Sequence, residues 1–486
     1  MRLSELLREV EFEGSIKNDF DIKFVTDDSR LVRPGALFVC IRHRSFDGHT
    51  AAAEALASGA AAVVTQERLG LENELNVVDS RAAYARLCAA LCGHPERKLR
   101  MIGVTGTNGK TTVTTLIRNI LSDSGIKTLL TGTVCNRLGE ESLPSGLTTP
   151  KPPELYSLLS RAVLSGCEAC VAEASSQALA QGRLEGIAFD AAVFTNITRD
   201  HLDYHGTFEN YLAAKKKLFE HSKVSAVNLD DPRADEIIAA SSGKTVTFST
   251  VLDCADYTTK NISLLPEGVS FELVSKGRIE HINFASPGLF SVSNAMAAAV
   301  CAINLGVDPR SAAQSLARSK GVCGRLERVE CGMPYSVIID YAHTPDGLEQ
   351  VLRALRPSCR GKLIVLFGCG GDRDKTKRPL MGAAACKYAD TVIVTSDNPR
   401  SEEPMRIIGD ILKGTDKKRR GLFIEEDRRR ATALALSLAK PGDTVLLAGK
   451  GHEKYQLICG EKLPLDERET VREILGLPHD TGRKKP

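Results

Sequence analysis

The sequence predicts an α/β protein of three domains with mostly parallel sheets, and three observations carry that prediction. The chain has 486 residues, which at roughly 150 residues per domain makes about three. Short uninterrupted apolar runs, each the length of one buried strand, alternate with stretches of helical periodicity, as in sheets covered on both faces. A glycine loop joins one such run to an amphipathic helix. Hydrophobic residues make up 42% and charged residues 26%. That ordinary globular composition supplies several cores and excludes a disordered chain. Lys plus Arg (64) nearly balances Asp plus Glu (61), so no basic excess points to nucleic acid. No apolar run reaches the roughly 18 residues of a membrane span. Met1-Arg2-Leu3-Ser4-Glu5 begins no apolar signal core. A cytoplasmic protein is expected.

The elements follow in order. In residues 1–97, Ala36–Ile41, Ala61–Val64 and Leu75–Val78 read as buried strands. His94-Pro95-Glu96-Arg97-Lys98 is a polar, proline-containing joint and marks a boundary. A second domain, 98–328, opens with the strand Met101–Val104 and includes Cys170–Ala172 and Ala191–Phe194. A third, 329–486, has strands at Val337–Ile339, Leu363–Phe367, Val392–Val394 and Val445–Leu447, separated by helical stretches. The 14 cysteines form no framework and read as small core residues of a reducing compartment. Cys167-Glu168-Ala169-Cys170 lacks the second pair that a structural zinc site needs. The basic tail Arg483-Lys484-Lys485-Pro486 reads as a solvated end.

Gly106-Thr107-Asn108-Gly109-Lys110-Thr111-Thr112 follows a strand, and Val113, Leu116, Ile117, Ile120 and Leu121 after it fall on one helix face. That is the context of a phosphate cradle. Backbone N–H groups close around phosphates at the helix N-terminus, Lys110 reaches the outer phosphates, and the Thr111 hydroxyl suits Mg²⁺. The usual first glycine of the motif is Val104 here, so the loop is a tighter G-x-x-G-K-T variant.

Phe208, Tyr211, Leu212, Lys215 and Phe219 share a helical stripe, which puts Lys215 among apolar residues. It either snorkels at the rim or is paired or chemically modified at a site, because a buried unpaired ammonium costs several kcal/mol. Upstream lies the polar cluster Asn196–His205. With Glu173, a candidate Mg²⁺ ligand, it suggests phosphoryl transfer.

In the third domain four polar motifs each follow a strand's carboxyl end: Asp340–Pro345, Gly368–Asp374, Asp397-Asn398-Pro399-Arg400 and Gly449–Glu453. Open parallel sheets bind ligands along that edge. Arg373 and Arg400 suit carboxylates, and Asp397 and Glu453 suit ammonium groups. Together they fit an amino-acid-like ligand, unless they only pair with one another.

These residues together resemble the Mur ligases, the ATP-dependent amide-forming enzymes of peptidoglycan precursor synthesis, which serve cell-wall biogenesis, cell shape and cell division. The resemblance runs from about residue 25 to 470 in motif order. It implies a UDP-sugar-binding domain, a central P-loop-type ATPase domain and a C-terminal Rossmann-like, amino-acid-binding domain. It implies ATP at Gly106 to Thr112, Asn294, Arg325 and Asp340. It implies the UDP-sugar peptide at Ser29, Thr148, Thr149, Ser175, Gln181 and Arg183, with His43, Arg44 and Ser45 in a variable loop reaching the same ligand. Leu147 stands where an Asn often precedes the two threonines. Arg373, Asp397, Asn398, Pro399, Arg400, Gly449 and Glu453 would take the incoming amino acid. Mg²⁺ would be held by Thr111, Glu173, His201 and Lys215. Lys215 would be a carbamate (N6-carboxylysine), and Lys110, Lys215 and His201 would act in catalysis.

The implied reaction joins meso-2,6-diaminopimelate to the D-Glu side-chain carboxylate of UDP-N-acetylmuramoyl-L-Ala-D-Glu through an acyl phosphate. A base, His201 or the carbamate, takes the amine's proton, and the domains close to exclude water. A monomer is expected, with neither nucleic acid nor membrane as partner. The alternatives are a lysine-adding ligase of the same family, which would leave Arg400 without a carboxylate, and a folylpolyglutamate synthetase-like ligase. A regulatory module that only senses ATP would not need Glu173, His201, Lys215 and an amino-acid pocket together.

Overall fold

Strands β1 (Phe24–Thr26), β2 (Ala36–Val39), β3 (Ala60–Thr65) and β4 (Glu74–Asn76) pair in that order as a parallel sheet. The computed structural model describes residues 1–478 except 15, 44–45, 266–267, 320 and 417–418. Arg44, Ser45 and the basic tail lie outside the described residues. The run Leu75–Val78 stops being a strand after Asn76, and Val78 is exposed, because the chain there turns toward Asp79, which caps the helix Ser80–Leu91. Leu75, Leu87, Leu155, Phe194 and Ile237 lie in one apolar cluster, so the first sheet shares a core with the next.

The second sheet has eleven strands: β5 (Arg100–Thr105), β6 (Thr128–Thr131), β7 (Asn136–Leu138), β8 (Glu141–Leu143), β9 (Ala169–Glu173), β10 (Ala191–Phe194), β11 (Val224–Asn228), β12 (Lys244–Ser249), β13 (Tyr257–Leu265), β14 (Gly268–Ser275) and β15 (Arg278–Phe284). Their order is β15-β14-β13-β12-β11-β10-β5-β9-β6-β7-β8. The stretch from β6 to β13 is parallel, and antiparallel pairs close both edges. Strands β9, β5 and β10 are adjacent, so their carboxyl ends open onto one edge. The helix Lys110–Asp123 buries Val113, Leu116, Ile117, Ile120 and Leu121. At about 1.5–3 kcal/mol for each large apolar side chain, that stripe holds the loop before it in place.

The third sheet runs β16-β17-β21-β18-β19-β20: β16 (Glu327–Arg328), β17 (Ser336–Asp340), β18 (Leu363–Phe367), β19 (Thr391–Val394), β20 (Leu422–Ile424) and β21 (Thr444–Ala448). Only β16 is antiparallel. Separate apolar clusters cover its two faces, one including Leu348, Met381 and Ile408, the other Ala431, Leu436 and Val471. A hairpin, β22 (Tyr455–Ile458) with β23 (Glu461–Pro464), lies outside the sheet.

Cysteines are free, and Cys167 and Cys170 are buried. No helix of the described residues is long and apolar enough to cross a membrane.

Candidate active site

The phosphate loop sits at the end of β5, in the middle of the second sheet. Gly109, at φ 88, caps the helix Lys110–Asp123. A Cβ there would run into Asn294 Oδ1, and one at Gly106 into Thr195 Oγ1, so only glycine lets the loop lie against these neighbours. The loop is pinned from β10: Thr195 Oγ1 donates to Asn108 O at 2.6 Å, and Asn108 N–H donates to Asn196 Oδ1 at 3.0 Å. Lys110 Nζ curls over the loop and donates to the carbonyls of Gly106 (2.8 Å) and Thr107 (2.9 Å). Burial lowers its pKa, with Glu173 and Asp200 opposing. Among the described residues it makes no ion pair.

Glu173 ends β9 with 1% exposure. Its Oε2 accepts from Thr111 Oγ1 (3.0 Å) and Thr133 Oγ1 (2.9 Å), and its Oε1 from Thr133 N–H (2.8 Å). This buried carboxylate has only neutral donors and lies against the Thr111 hydroxyl, an oxygen pair that suits Mg²⁺ completed by phosphate oxygens and water. No group of three or more His, Cys, Asp or Glu side chains forms a metal cage among the described residues.

Lys215 is 1% exposed, so it does not snorkel. Its Nζ lies 4.6 Å from the centre of the Tyr211 ring, and it makes no ion pair among the described residues. Burial, then Lys110, hold its pKa well below the usual lysine value. As an ammonium it offers a metal no lone pair; as a carbamate it would bring an anionic oxygen donor, the kind Mg²⁺ takes. Its helix is Phe208–Lys216, shorter than the stripe predicts. Leu218 N and Phe219 N bond to the carbonyls three residues back, so the last turn tightens and Phe219 packs from beyond it. His201 has left-handed backbone (φ 53), its N–H donates to Asp200 Oδ1 at 2.8 Å, and burial lowers its pKa against Asp200.

One cavity of about 540 Å³ is lined by the phosphate loop, Glu173, His201, Lys215, Asn294, Arg325 and Asp340, and also by Thr148, Thr149, Ser175 and Arg183. Thr149 Oγ1 donates to Glu173 O at 2.6 Å, and Arg183 Nη1 to Thr149 O at 2.6 Å. Gln181 holds Arg183 from the side through Oε1 at 2.7 Å. Arg325 Nη2 reaches Thr111 Oγ1 at 3.3 Å. Asp340 is turned inward: its carboxylate accepts the Leu326 and Ala342 N–H groups, both at 2.7 Å, and so shapes the chain around Arg325. Ser29 lies outside this cavity, in the turn Ser29–Leu31. That turn is docked beside the cavity's threonines, because Asp27 pairs with Lys151 Nζ at 3.0 Å.

The third sheet brings its four motifs together at the ends of β17, β21, β18 and β19; Asp340 to Thr344, after β17, also line the cavity, and the other three motifs do not. A Cβ at Gly370 would meet Arg400 Nη1 at 2.8 Å and Arg373 Cγ at 3.8 Å, so the two arginines flank one point. Neither pairs with a carboxylate among the described residues; Arg400 Nη1 donates to Gly371 O at 2.7 Å. The acids are less free than the sequence suggests. Glu453 Oε2 pairs with Lys450 Nζ at 2.6 Å. Burial pushes Asp397 up, but Lys450 and Arg428 pull it net below the usual carboxylate range. Beneath them Arg428 and Glu467 form a buried pair at 2.7 Å. Lys450, Arg428, Asp346 and Lys377 went unassigned in the sequence; only Lys450 carried a signal there, between the glycines of Gly449–Glu453. Phe284, Leu289, Phe290 and Val351, apolar residues that also line the cavity, follow no sequence pattern that sets them apart from core residues.

Comparison with known proteins agrees with this layout. Residues 21–90 match the Mur ligase family catalytic domain, 104–302 the Mur ligase middle domain, and 324–451 the Mur ligase glutamate ligase domain. The UDP-N-acetylmuramoyl-L-alanyl-D-glutamate–2,6-diaminopimelate ligase of Caldanaerobacter subterraneus is 44% identical, covering 98% of this chain and 99% of its own. That of Syntrophomonas wolfei is 42% identical with the same coverage. A solved structure of a ligase of that name superposes with TM-score 0.71 at 35% identity, covering 98% of this chain and 99% of that one. The Mycobacterium tuberculosis folylpolyglutamate synthase with ADP shares the fold at TM-score 0.62 and 19% identity, over 76% of this chain and 91% of its own. With three matched segments and full-length relatives, the chain belongs to the Mur ligase family.

Proposed function

We propose that this chain is an ATP-dependent ligase that adds meso-2,6-diaminopimelate to the D-Glu side-chain carboxylate of UDP-N-acetylmuramoyl-L-Ala-D-Glu. The observation that carries the reading is the single cavity in which the phosphate loop, the Glu173–Thr111 pair and the Thr148–Arg183 group meet, in a chain similar end to end to ligases of that name. Residues 1–97 bind the UDP-sugar, 98–328 bind ATP, and 329–486 bind the amino acid. The reaction belongs in the cytoplasm as a step of peptidoglycan precursor synthesis.

Lys110 leaves its two carbonyl partners for the γ-phosphate of ATP, offsetting repulsion as the phosphoryl group moves to the substrate carboxylate. Arg325, beside Thr111, adds a second cation. Thr148, Thr149, Ser175 and Arg183 hold the peptide so that its carboxylate faces the loop. Thr111 and Glu173 would hold Mg²⁺, which supplies charge neutralisation between the phosphates and the acceptor carboxylate. Lys215, as a neutral amine, adds carbon dioxide through its nitrogen lone pair, loses one proton to solvent and becomes an anionic carbamate. A carbon-13 carbamate resonance from bicarbonate-labelled protein, absent in Lys215→Arg, checks this. The amine of diaminopimelate then attacks the acyl phosphate and phosphate leaves, while Arg373 and Arg400 grip the amino acid's carboxylates.

The test is phosphate release from ATP with the sugar nucleotide and either meso-diaminopimelate or L-lysine, with mass analysis of the product. Turnover with diaminopimelate alone is expected. Turnover with lysine alone would keep the ligase and remove the role of Arg400; turnover with neither would refute the reading.

A further inference from the structure

Lys450 is wholly buried. Its Nζ donates to Glu453 Oε2 at 2.6 Å and to Asn398 Oδ1 at 2.9 Å. Asn398 Oδ1 also accepts the Leu457 N–H at 2.9 Å, and its Nδ2 donates to Glu453 Oε2 at 2.9 Å. Both lone pairs of that amide oxygen are taken, so the Asn398 side chain is a junction inside the protein. The Leu457 bond comes from the hairpin Tyr455–Pro464, which grips the same loop at three more points. Gln456 Nε2 donates to Asp397 O at 2.6 Å, Arg400 N–H to Leu457 O at 3.0 Å, and Cys459 N–H to Arg400 O at 2.7 Å. Arg400 is left-handed (φ 55), a backbone state that a non-glycine residue keeps only when its surroundings enforce it.

We infer that Lys450 and the Tyr455–Pro464 hairpin are positioning elements for the acceptor amino acid. They fix Glu453 and the Asp397–Arg400 loop in the arrangement the acceptor meets, without touching the transferred group. The inference rests on the assignment of that loop to the acceptor in the proposed function. Without the Lys450 charge, Glu453 and Asn398 lose their common partner and the loop relaxes. The phosphate loop, at the end of β5 on another sheet, keeps its own bonds to Thr195 and Asn196.

The experiment is steady-state phosphate release by the full-length protein, varying each substrate in turn, for wild type, Lys450→Met, Glu453→Gln, the double variant and Gln456→Ala. Lys450→Met is expected to raise KM for diaminopimelate at least about tenfold, with KM for ATP and for the sugar nucleotide within about twofold. In the Glu453→Gln background the same change should add less than about twofold, because the two side chains act as one unit. Gln456→Ala, at a partly exposed position, should raise the acceptor KM severalfold and decides the matter if Lys450→Met does not fold. An equal rise in all three KM values, a Lys450→Met effect of the same size in both backgrounds, or an unchanged acceptor KM in Gln456→Ala overturns the inference. Wild type that uses lysine in place of diaminopimelate fails the proposed function instead, and the KM comparisons can then be made with lysine.

Discussion

The two polar edges of this molecule handle charge in opposite ways. At the edge of the eleven-stranded sheet, Lys110 bonds only to backbone carbonyls and Lys215 lies against an aromatic ring, while Glu173 meets only hydroxyls and an N–H. At the edge of the six-stranded sheet, Lys450 pairs with Glu453 and Arg428 with Glu467, while Arg373 and Arg400 keep no carboxylate among the described residues. The first edge leaves its charged groups without counter-charges of their own, as the proposed nucleotide site requires. The second is balanced within and offers two arginines outward. Changes at the first should therefore strike the chemical step, and changes at the second should strike recognition of one substrate.

The sharpest test of that division is Lys110→Ala. Removing the cation that the loop holds ready should lower kcat by about a thousandfold, with KM for the amino acid little changed. A rise in acceptor KM alone would erase the distinction. Next comes Arg400→Met, which should raise KM for diaminopimelate about a hundredfold and leave kcat and KM for ATP near wild type. A matching loss with lysine as acceptor would mean that Arg400 serves the loop rather than the second carboxylate.

The same contrast decides what could be read in the sequence. The phosphate loop, its helix and Lys215 were legible because each rests on local periodicity: five apolar residues on one face after Gly109, and one lysine on an apolar stripe. The four strand-end motifs were legible because parallel strands deliver their carboxyl ends to one edge. Counter-charge was not legible. Nothing in the spacing tells that Glu453 is already held by Lys450, or that Asp340 spends both oxygens on backbone N–H groups. Those pairings are local, three residues apart for Lys450 and Glu453 and two and fourteen for Asp340, and are set by how irregular loops turn rather than by a periodic pattern. Asp346 was unreadable for a different reason: its partners stand 238 and 148 residues away.

Asp346 is where the two edges touch. It lies in the first turn of the helix Pro345–Leu355, and its Oδ2 accepts from Asn108 Nδ2 at 3.0 Å and Thr198 Oγ1 at 3.4 Å. The third sheet thus reaches the phosphate loop through one carboxylate oxygen. Asp346→Ala should raise KM for ATP by about three- to tenfold, the worth of a charge-assisted hydrogen bond at a partly buried site. Nucleotide titration of the variant checks this. An unchanged nucleotide affinity with a raised acceptor KM would assign Asp346 to the other edge.

The smallest expected effect is on stability, and it follows from two histidines between the edges. Burial, then Lys377, holds His343 at about 4; burial, then Arg325, holds His452 at about 4. An unfolded imidazole titrates near about 6.5. Between these values the unfolded chain binds more protons than the folded one, so unfolding free energy rises with pH across the window and gains nothing from these groups above it. The carboxylates held at about 2, Asp28, Asp47 and Glu402, work in the same direction but at lower pH. The range from about 5 to 6.5 lies above those carboxylates. Asp231, Asp340 and Glu467, which burial pushes up, oppose the imidazoles but are common to wild type and variant, so the difference between the two proteins reads His343. Melting temperature should climb by a few degrees over that range in wild type and climb less in His343→Asn, which keeps a donor for the Tyr341 carbonyl that His343 Nδ1 meets at 2.9 Å. An equal slope in both proteins would show that His343 exchanges protons with solvent freely, and that the junction between the two edges is open to water.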